Sequence, residues 1–117
     1  MNWDKYRYFS KAEFDCQETG ENEMSEFFIA KLSELREKYG KPMVITSGYR
    51  SPNHTIEQRK RTPGTHAQGI AADISCQGAD KYRIVKLAFD LGFSGIGIDD
   101  NFIHLDISGR RNAIWSY

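Results

Sequence analysis

The chain has 117 residues, a length that suits one domain spanning residues 1–117. Its formal net charge is zero at pH 7, which argues against general electrostatic binding of nucleic acid. Its two cysteines, Cys16 and Cys76, are too few for a disulfide framework, and we expect both to be reduced. No apolar run approaches the roughly 20 residues of a membrane span, and the first residues lack the apolar core of a signal peptide. We therefore expect a monomer that is made in the cytoplasm and acts elsewhere only if it is released or exported.

The N-terminal half of the chain predicts two helices and a strand. Ser10 is a typical N-cap for a short turn over residues 11–14. Apolar side chains at i, i+4, i+7 and i+11 then predict a longer helix with one buried stripe, which ends at Gly40. The stripe consists of Phe28, Leu32, Leu35 and Tyr39. Residues 43–47 are β-branched and apolar and predict a strand, whereas residues 51–64 form a long polar loop, which in so small a domain is functional or mobile.

The C-terminal half contains two stretches that alternate between apolar and polar side chains, the pattern of half-buried strands. In residues 70–76 the even-numbered side chains face the core, and Asp73 faces the other way. In residues 102–107 the odd-numbered side chains are apolar, and His104 and Asp106 share the opposite face.

A second helix and two short segments complete the pattern. Asp80 is a typical N-cap for a helix that ends at Gly92. Its predicted core stripe consists of Ile84, Leu87, Ala88 and Leu91. Residues 95–98 predict a short strand, and residues 109–115 a last segment. We predict an α+β fold with a mostly antiparallel sheet, helices on one face and a polar cleft on the other.

The alternation by itself brings potential metal ligands together. Asp73 and His104 project from the same sheet face if their strands pair, and His66 can curl back from the preceding loop. Two imidazoles and one carboxylate suit zinc, and three protein ligands with a fourth position left to water are the pattern of a catalytic zinc site. Such a zinc ion lowers the pKa of its water to ~7 and polarises a carbonyl, as amide hydrolysis requires. A purely structural role for these histidines remains the alternative at this stage.

Three blocks of sequence follow one another along the chain. They are Ser47-Gly48-Tyr49-Arg50-Ser51-Pro52, then Thr65-His66 with Gly69, Ala71 and Asp73, and finally Phe102-Ile103-His104-Leu105-Asp106. In this order they resemble the signature of the M15 peptidases. This family includes zinc D-alanyl-D-alanine carboxypeptidases and phage cell-wall endopeptidases with the hedgehog/DD-peptidase fold. The resemblance implies one zinc ion per chain, held by His66, Asp73 and His104. It also implies that Arg50 faces the cleft and binds a substrate carboxylate or stabilises charge on the scissile carbonyl.

The sequence departs from the family at the position of the general base. Many members have a glutamate three residues before the last histidine, where this chain has Asn101. Asp99 and Asp100 are the candidate replacements, and Asp100 shares the face of His104 only if the chain is extended there. A tight turn would break this inference, and both residues would then only shape the turn. Asp106 is expected to hold an imidazole through its far nitrogen, or to contact substrate.

Two aromatic residues complete the predicted substrate site. Tyr49 adjoins Arg50 in the first block, and Trp115 is interpreted either as the floor of a peptide cleft or as a core residue. Our leading hypothesis is a zinc peptidase that acts on peptidoglycan stem peptides, as a carboxypeptidase or as an endopeptidase of a phage or prophage. The alternatives are a zinc-stabilised domain that binds the cell wall or a protein without turnover, and a nucleic-acid contact through residues 59–61, which the neutral net charge disfavours.

Overall fold

The computed structural model describes residues 1–60, 64–109 and 112–117, which form an α+β fold with three helices and a five-stranded sheet. In chain order the elements are α1 (Lys11–Phe14), α2 (Glu26–Tyr39), β1 (Val44–Ser47), β2 (Ala71–Ser75), α3 (Ala79–Asp90), β3 (Gly95–Ile98), β4 (Phe102–Asp106) and β5 (Ala113–Ser116). Two short 3₁₀ turns lie at Trp3–Lys5 and Glu57–Arg59. Within the described ranges, no helix combines the length and the apolar character needed to cross a bilayer.

The strands are ordered β1-β2-β4-β3-β5 across the sheet. Three neighbouring pairs are antiparallel, and β5 alone runs parallel to its neighbour β3. The sheet is therefore mixed but mostly antiparallel, as predicted, and the last segment of the chain supplies the parallel edge. This order makes β2 and β4, the two strands with alternating patterns, direct neighbours inside the sheet.

Helices α2 and α3 pack their apolar sides against one face of this sheet and share one core with it. The predicted stripe of α2 is buried along its whole length, and the sheet contributes Ile74, Ile103 and Leu105. The helix ends at Gly40, as predicted, and begins after Ser25. Ser25 accepts a hydrogen bond from the N–H of Phe28, and Gly40 adopts the left-handed conformation that ends the helix.

The start of α3 differs from the prediction, in which Asp80 was the N-cap. The N-cap is Gly78, whose φ of 59° turns the chain into the helix before Asp80 is reached. Asp80 instead lies in the first helical turn, where a negative charge is favourable, and its carboxylate is 2.7 Å from the Lys41 ammonium. Leu87 and Leu91, predicted for the core stripe, pack against the core cluster but are only partly buried.

Candidate metal centre

The pairing of β2 with β4 places Asp73 directly opposite His104. Residues that face each other across two strands project from the same side of the sheet. Here that side is the one without α2 and α3, because the alternate residues Ile74 and Ile103 belong to the core. The Oδ1 atom of Asp73 lies 3.1 Å from Nδ1 of His104. The predicted proximity of these two side chains is therefore confirmed, and it follows from the two alternating patterns and their register.

His66 reaches the same carboxylate from the loop that precedes β2. Its Nε2 atom lies 3.3 Å from Oδ1 of Asp73, and its Nδ1–H donates a 2.8 Å hydrogen bond to the carbonyl of Gly48. The carbonyl of His66 in turn accepts a bond from the N–H of Arg50. Two hydrogen bonds to the segment that follows β1 thus orient His66 so that Nε2 faces Asp73.

The three side chains have the arrangement that a divalent metal ion requires. One ligand atom from each of His66, Asp73 and His104 lies within 4.8 Å of the other two. The second nitrogen of each imidazole is already engaged, by Gly48 in one case and in the other by Asp106, whose Oδ2 is 2.8 Å from Nε2 of His104. Histidines that bind metals usually have their far nitrogen held in this way. Two nitrogens and one carboxylate oxygen form a donor set that fits zinc.

Charges and hydrogen bonds link the ionisation of these groups to one another. Burial favours the neutral form of Asp73, but hydrogen bonds and charges of His104 and His66 outweigh burial and lower the pKa of Asp73 to about 2. Burial would also lower the pKa of His104, yet Asp106 and Asp73 raise it to about 9. At neutral pH His104 therefore carries a proton between two carboxylates, and a metal ion must displace that proton to bind.

Asp106 occupies the place beside His104 that the sequence predicted. Its Oδ1 accepts a bond from the N–H of Ser108, so both of its oxygens have protein donors. Burial raises the pKa of Asp106, but the bonds from His104 and Ser108 lower it overall. The carboxylate lies against Gly95, where any side chain would collide with it. Gly95, the first residue of β3, therefore leaves the space that the Asp106 carboxylate occupies. A glycine in a predicted strand could have indicated this close approach, but it was not interpreted in that way.

Arg50 is held beside the site by Glu57, which the sequence analysis did not single out. The Glu57 side chain is 1% exposed, and its Oε2 lies 2.6 Å from Nζ of Lys60 and 3.5 Å from Nη1 of Arg50. Its Oε1 accepts a bond from the N–H of Gly64, two residues before His66. The Arg50 side chain remains 22% exposed and so can meet a ligand. The sequence offered one indication of this role, because Glu57 is the single acidic residue of the polar loop 51–64, which is rich in basic residues. Arg61 of this loop lies outside the described residues.

The turn between β3 and β4 is tight, contrary to the condition under which Asp100 would share the face of His104. The N–H of Asp99 donates to the carbonyl of Phe102, and the Asp99 carboxylate accepts a bond from the N–H of Asn101. Asp100 is exposed at the tip of this turn, outside β4. The inference that Asp100 shares the strand face of His104 is therefore wrong. Asp99 bonds to Phe102 through its backbone but lies one residue beyond β3, and its carboxylate is engaged by the Asn101 N–H.

The two predicted aromatic contacts have different outcomes. Trp115 is half-buried on the face of the metal centre, with its ring centroid 5.4 Å from that of His104. Tyr49 is instead buried in the core cluster, and its N–H donates to the carbonyl of Phe14. The neighbouring residue Arg50 bonds to the His66 carbonyl through its backbone N–H and keeps its side chain partly exposed beside Glu57.

The fold and the cluster together define a domain that presents two histidines and an aspartate, suited to a metal ion, on the uncovered face of a mixed sheet. The chain belongs to the M15 peptidase family, because the family model described as Peptidase M15 matches residues 7–106, which include the whole cluster. The chain is also similar to peptidoglycan L,D-endopeptidase MepK from Escherichia coli strain K12, Escherichia coli O157:H7 and Shigella flexneri, with 33% identity over 79 residues in each case. These matches cover 62% of this chain and 43% of each relative, so the chain spans less than half the length of these relatives.

Proposed function

We propose that residues 1–117 form a zinc-dependent peptidase domain of the hedgehog/DD-peptidase type that hydrolyses amide bonds in peptidoglycan stem peptides. The observation that carries the proposal is the convergence of His66, Asp73 and His104 in a member of a peptidase family. The proposed substrate is supported by the likeness to relatives named as peptidoglycan L,D-endopeptidases. The proposal includes both carboxypeptidase and endopeptidase cleavage, including the action of a phage or prophage lysis enzyme that reaches the wall after release or export.

The chain's own residues would hold the metal and fix its ligands. The ligand atoms would be Nε2 of His66, a carboxylate oxygen of Asp73 and Nδ1 of His104, because the remaining imidazole nitrogens are engaged by Gly48 and Asp106. Bound zinc supplies a Lewis acid that activates water and polarises the scissile carbonyl. Asp106 has a donor at each oxygen, so we assign it the role of orienting His104 rather than of contacting substrate.

Arg50 is the proposed group for the negative charge of the substrate. Its guanidinium is partly exposed and held at one nitrogen by buried Glu57, which leaves other N–H donors for a carboxylate or for a developing oxyanion. Trp115, beside His104, is the proposed floor for the peptide. Tyr49 is not part of this proposal, because its side chain lies in the core.

Asn101 occupies the position of the family's usual glutamate, so another carboxylate must be the proton acceptor. Asp99 is our first choice, since its backbone bonds to Phe102, the first residue of the strand that carries His104. Asp100 remains a second candidate, which would need the turn to rearrange before its exposed carboxylate approached the site. A carboxylate in this role accepts a proton from the attacking water and then donates it to the leaving amine.

Metal content and wall digestion test this proposal together. We expect about one zinc ion per chain and release of peptide fragments or free D-alanine from purified peptidoglycan, with both lost in His66→Ala and His104→Ala. The second candidate function, a zinc-stabilised binding domain without turnover, is favoured by the absence of a glutamate at position 101. It predicts the same metal content and sedimentation with insoluble wall, but no released product. A wild-type chain that binds no zinc would contradict both functions.

A further inference from the structure

Three aromatic rings continue the face of the metal centre towards the turn between β3 and β4. They belong to Phe102, Trp115 and Tyr117, and we name them the aromatic shelf. The Trp115 ring lies 5.4 Å from that of His104, and the Tyr117 ring lies 5.4 Å from that of Phe102 and 6.4 Å from that of Trp115. The shelf is therefore continuous with the candidate metal centre.

The parallel pairing of β5 with β3 puts the rings in this place. Gly97 lies opposite His104 on one side and opposite Trp115 on the other, so all three residues share a face. A side chain at position 97 would place its Cβ atom 2.7 Å from Nε1 of Trp115. Gly97 thus leaves space for the indole to lie beside His104. The N–H of Tyr117 donates to the carbonyl of Ile98. This bond fixes the backbone just after β5, from which the Tyr117 side chain extends.

The shelf is open to solvent, unlike the aromatic rings of the core. Tyr117 is 67% exposed, and Phe102 and Trp115 are half-buried on the face that α2 and α3 do not cover. Contiguous exposed apolar surface beside a site commonly marks where a ligand binds. Aromatic rings present a negative face, which attracts the weakly positive C–H bonds that line one face of a sugar ring. The exposed carboxylate of Asp100, two residues before Phe102, adds an acceptor for sugar hydroxyl groups.

We propose that the aromatic shelf binds a sugar ring of the glycan strand, an N-acetylated hexosamine, next to the stem peptide held at the metal centre. This inference rests on the proposed function for the identity of the polymer. Trp115, the ring beside His104, is the proposed floor for the peptide, but the short stem peptide is built from small and charged residues and offers no ring to stack on Phe102 and Tyr117. A sugar therefore matches the chemistry of the shelf better than the peptide does.

The first test measures binding without hydrolysis. The full chain, with and without zinc, is titrated with tetra-N-acetylglucosamine and followed by calorimetry or by NMR. We expect wild-type protein to bind at millimolar concentration or better, and Tyr117→Ala and Phe102→Leu to weaken binding at least about fivefold, since each substitution removes a ring on which the sugar can stack. Tyr82→Ala is the matched control, because Tyr82 is 74% exposed on α3, on the other face of the sheet. Absence of binding by wild-type protein, or an equal loss in Tyr82→Ala, overturns the proposal.

The second test compares a disaccharide-linked stem peptide with the same peptide lacking sugar. We expect the shelf variants to lower the ratio of kcat/KM for the sugar-linked substrate over that for the free peptide at least about fivefold. Tyr117→Phe, which keeps the ring, should restore the ratio, and thermal unfolding shows whether each variant is folded. An unchanged ratio means that the shelf does not select the sugar. Binding of the oligosaccharide by a chain that hydrolyses neither substrate would refute the proposed peptidase function while leaving the sugar site intact.

Discussion

The two halves of the candidate metal centre are held in place by different kinds of interaction. Asp73 and His104, the strand half, are positioned by a ladder of backbone hydrogen bonds that sets both register and face. Arg50, Glu57 and His66, the loop half, depend on a few individual bonds from side chains to the backbone or to one another. The strand half is therefore rigid through the sheet, whereas each contact of the loop half can be removed separately by substitution.

Removing a ligand from the strand half should have the largest effect. We expect His104→Ala to lower zinc affinity more than about 100-fold, beyond the 10–100-fold typical of losing a supporting residue, and to abolish peptidase activity. Metal analysis after dialysis against a weak chelator measures the loss. His54→Ala is the matched control, because His54 lies in the polar loop and contacts Glu18 instead of Asp73. Retention of one zinc ion by His104→Ala would show that the strand half does not bind the metal.

The proton on His104 should make zinc binding strongly dependent on pH. The pKa of His104 is raised to about 9, so below that pH the metal must displace a proton, whereas Asp73, with a pKa of about 2, is already ionised. Zinc affinity should therefore rise about tenfold per pH unit between pH 6 and pH 8 and level off near pH 9. Calorimetry at pH 7 in two buffers of different ionisation enthalpy should detect release of about one proton per zinc from this residue. A flat affinity between pH 6 and pH 8 would contradict this protonation state.

Asp106→Asn tests the support of the strand half without removing a ligand. The amide fits the space beside Gly95 but withdraws the charge that holds Nε2–H of His104, so zinc affinity should fall about 10–100-fold. The same substitution should lower the pKa of His104, so zinc affinity should stop rising with pH at a lower pH than in the wild-type chain. Zinc titration across the pH range measures both effects. If affinity is lost but the profile does not move, Asp106 acts by packing and not by charge.

The strand half was predictable because its pattern is local. Alternation assigns each side chain of a strand to a face, so Asp73 and His104 were expected to meet if their strands paired, and Asp106 was expected on the face of His104. In the loop half, His66 and Arg50 were expected at the site, but the role of Glu57 was not, because its burial depends on bonds to residues that only the folded loop brings near. Alternation also fails where a strand ends, which is why Asp100 was misplaced.

Within the loop half, Glu57→Gln should lower kcat/KM more than it lowers zinc binding. The amide can still accept a bond from Gly64 but no longer neutralises Lys60 and Arg50, so unfolding free energy should fall by about 1–3 kcal/mol. We expect zinc content to stay at one per chain and kcat/KM to fall about tenfold as Arg50 loses its fixed position. Glu34→Gln, at an exposed position on α2, is the control. A loss of zinc as large as that in Asp106→Asn would show that the two halves are not separable in this way.

The smallest effect is expected at the tip of the turn between β3 and β4. Asp100 is exposed, and the bonds that close the turn belong to Asp99, Asn101 and Phe102, so Asp100→Asn should change kcat/KM less than about twofold and leave stability within about 0.5 kcal/mol.

Asp99→Asn, which keeps an acceptor for the Asn101 N–H but cannot take up a proton, should lower kcat by about 100-fold or more if Asp99 is the proton acceptor. Rate measurements on both variants, at matched zinc content, decide between them. A severe loss in Asp100→Asn would mean that the turn opens during catalysis, because the closed turn leaves that carboxylate exposed at its tip.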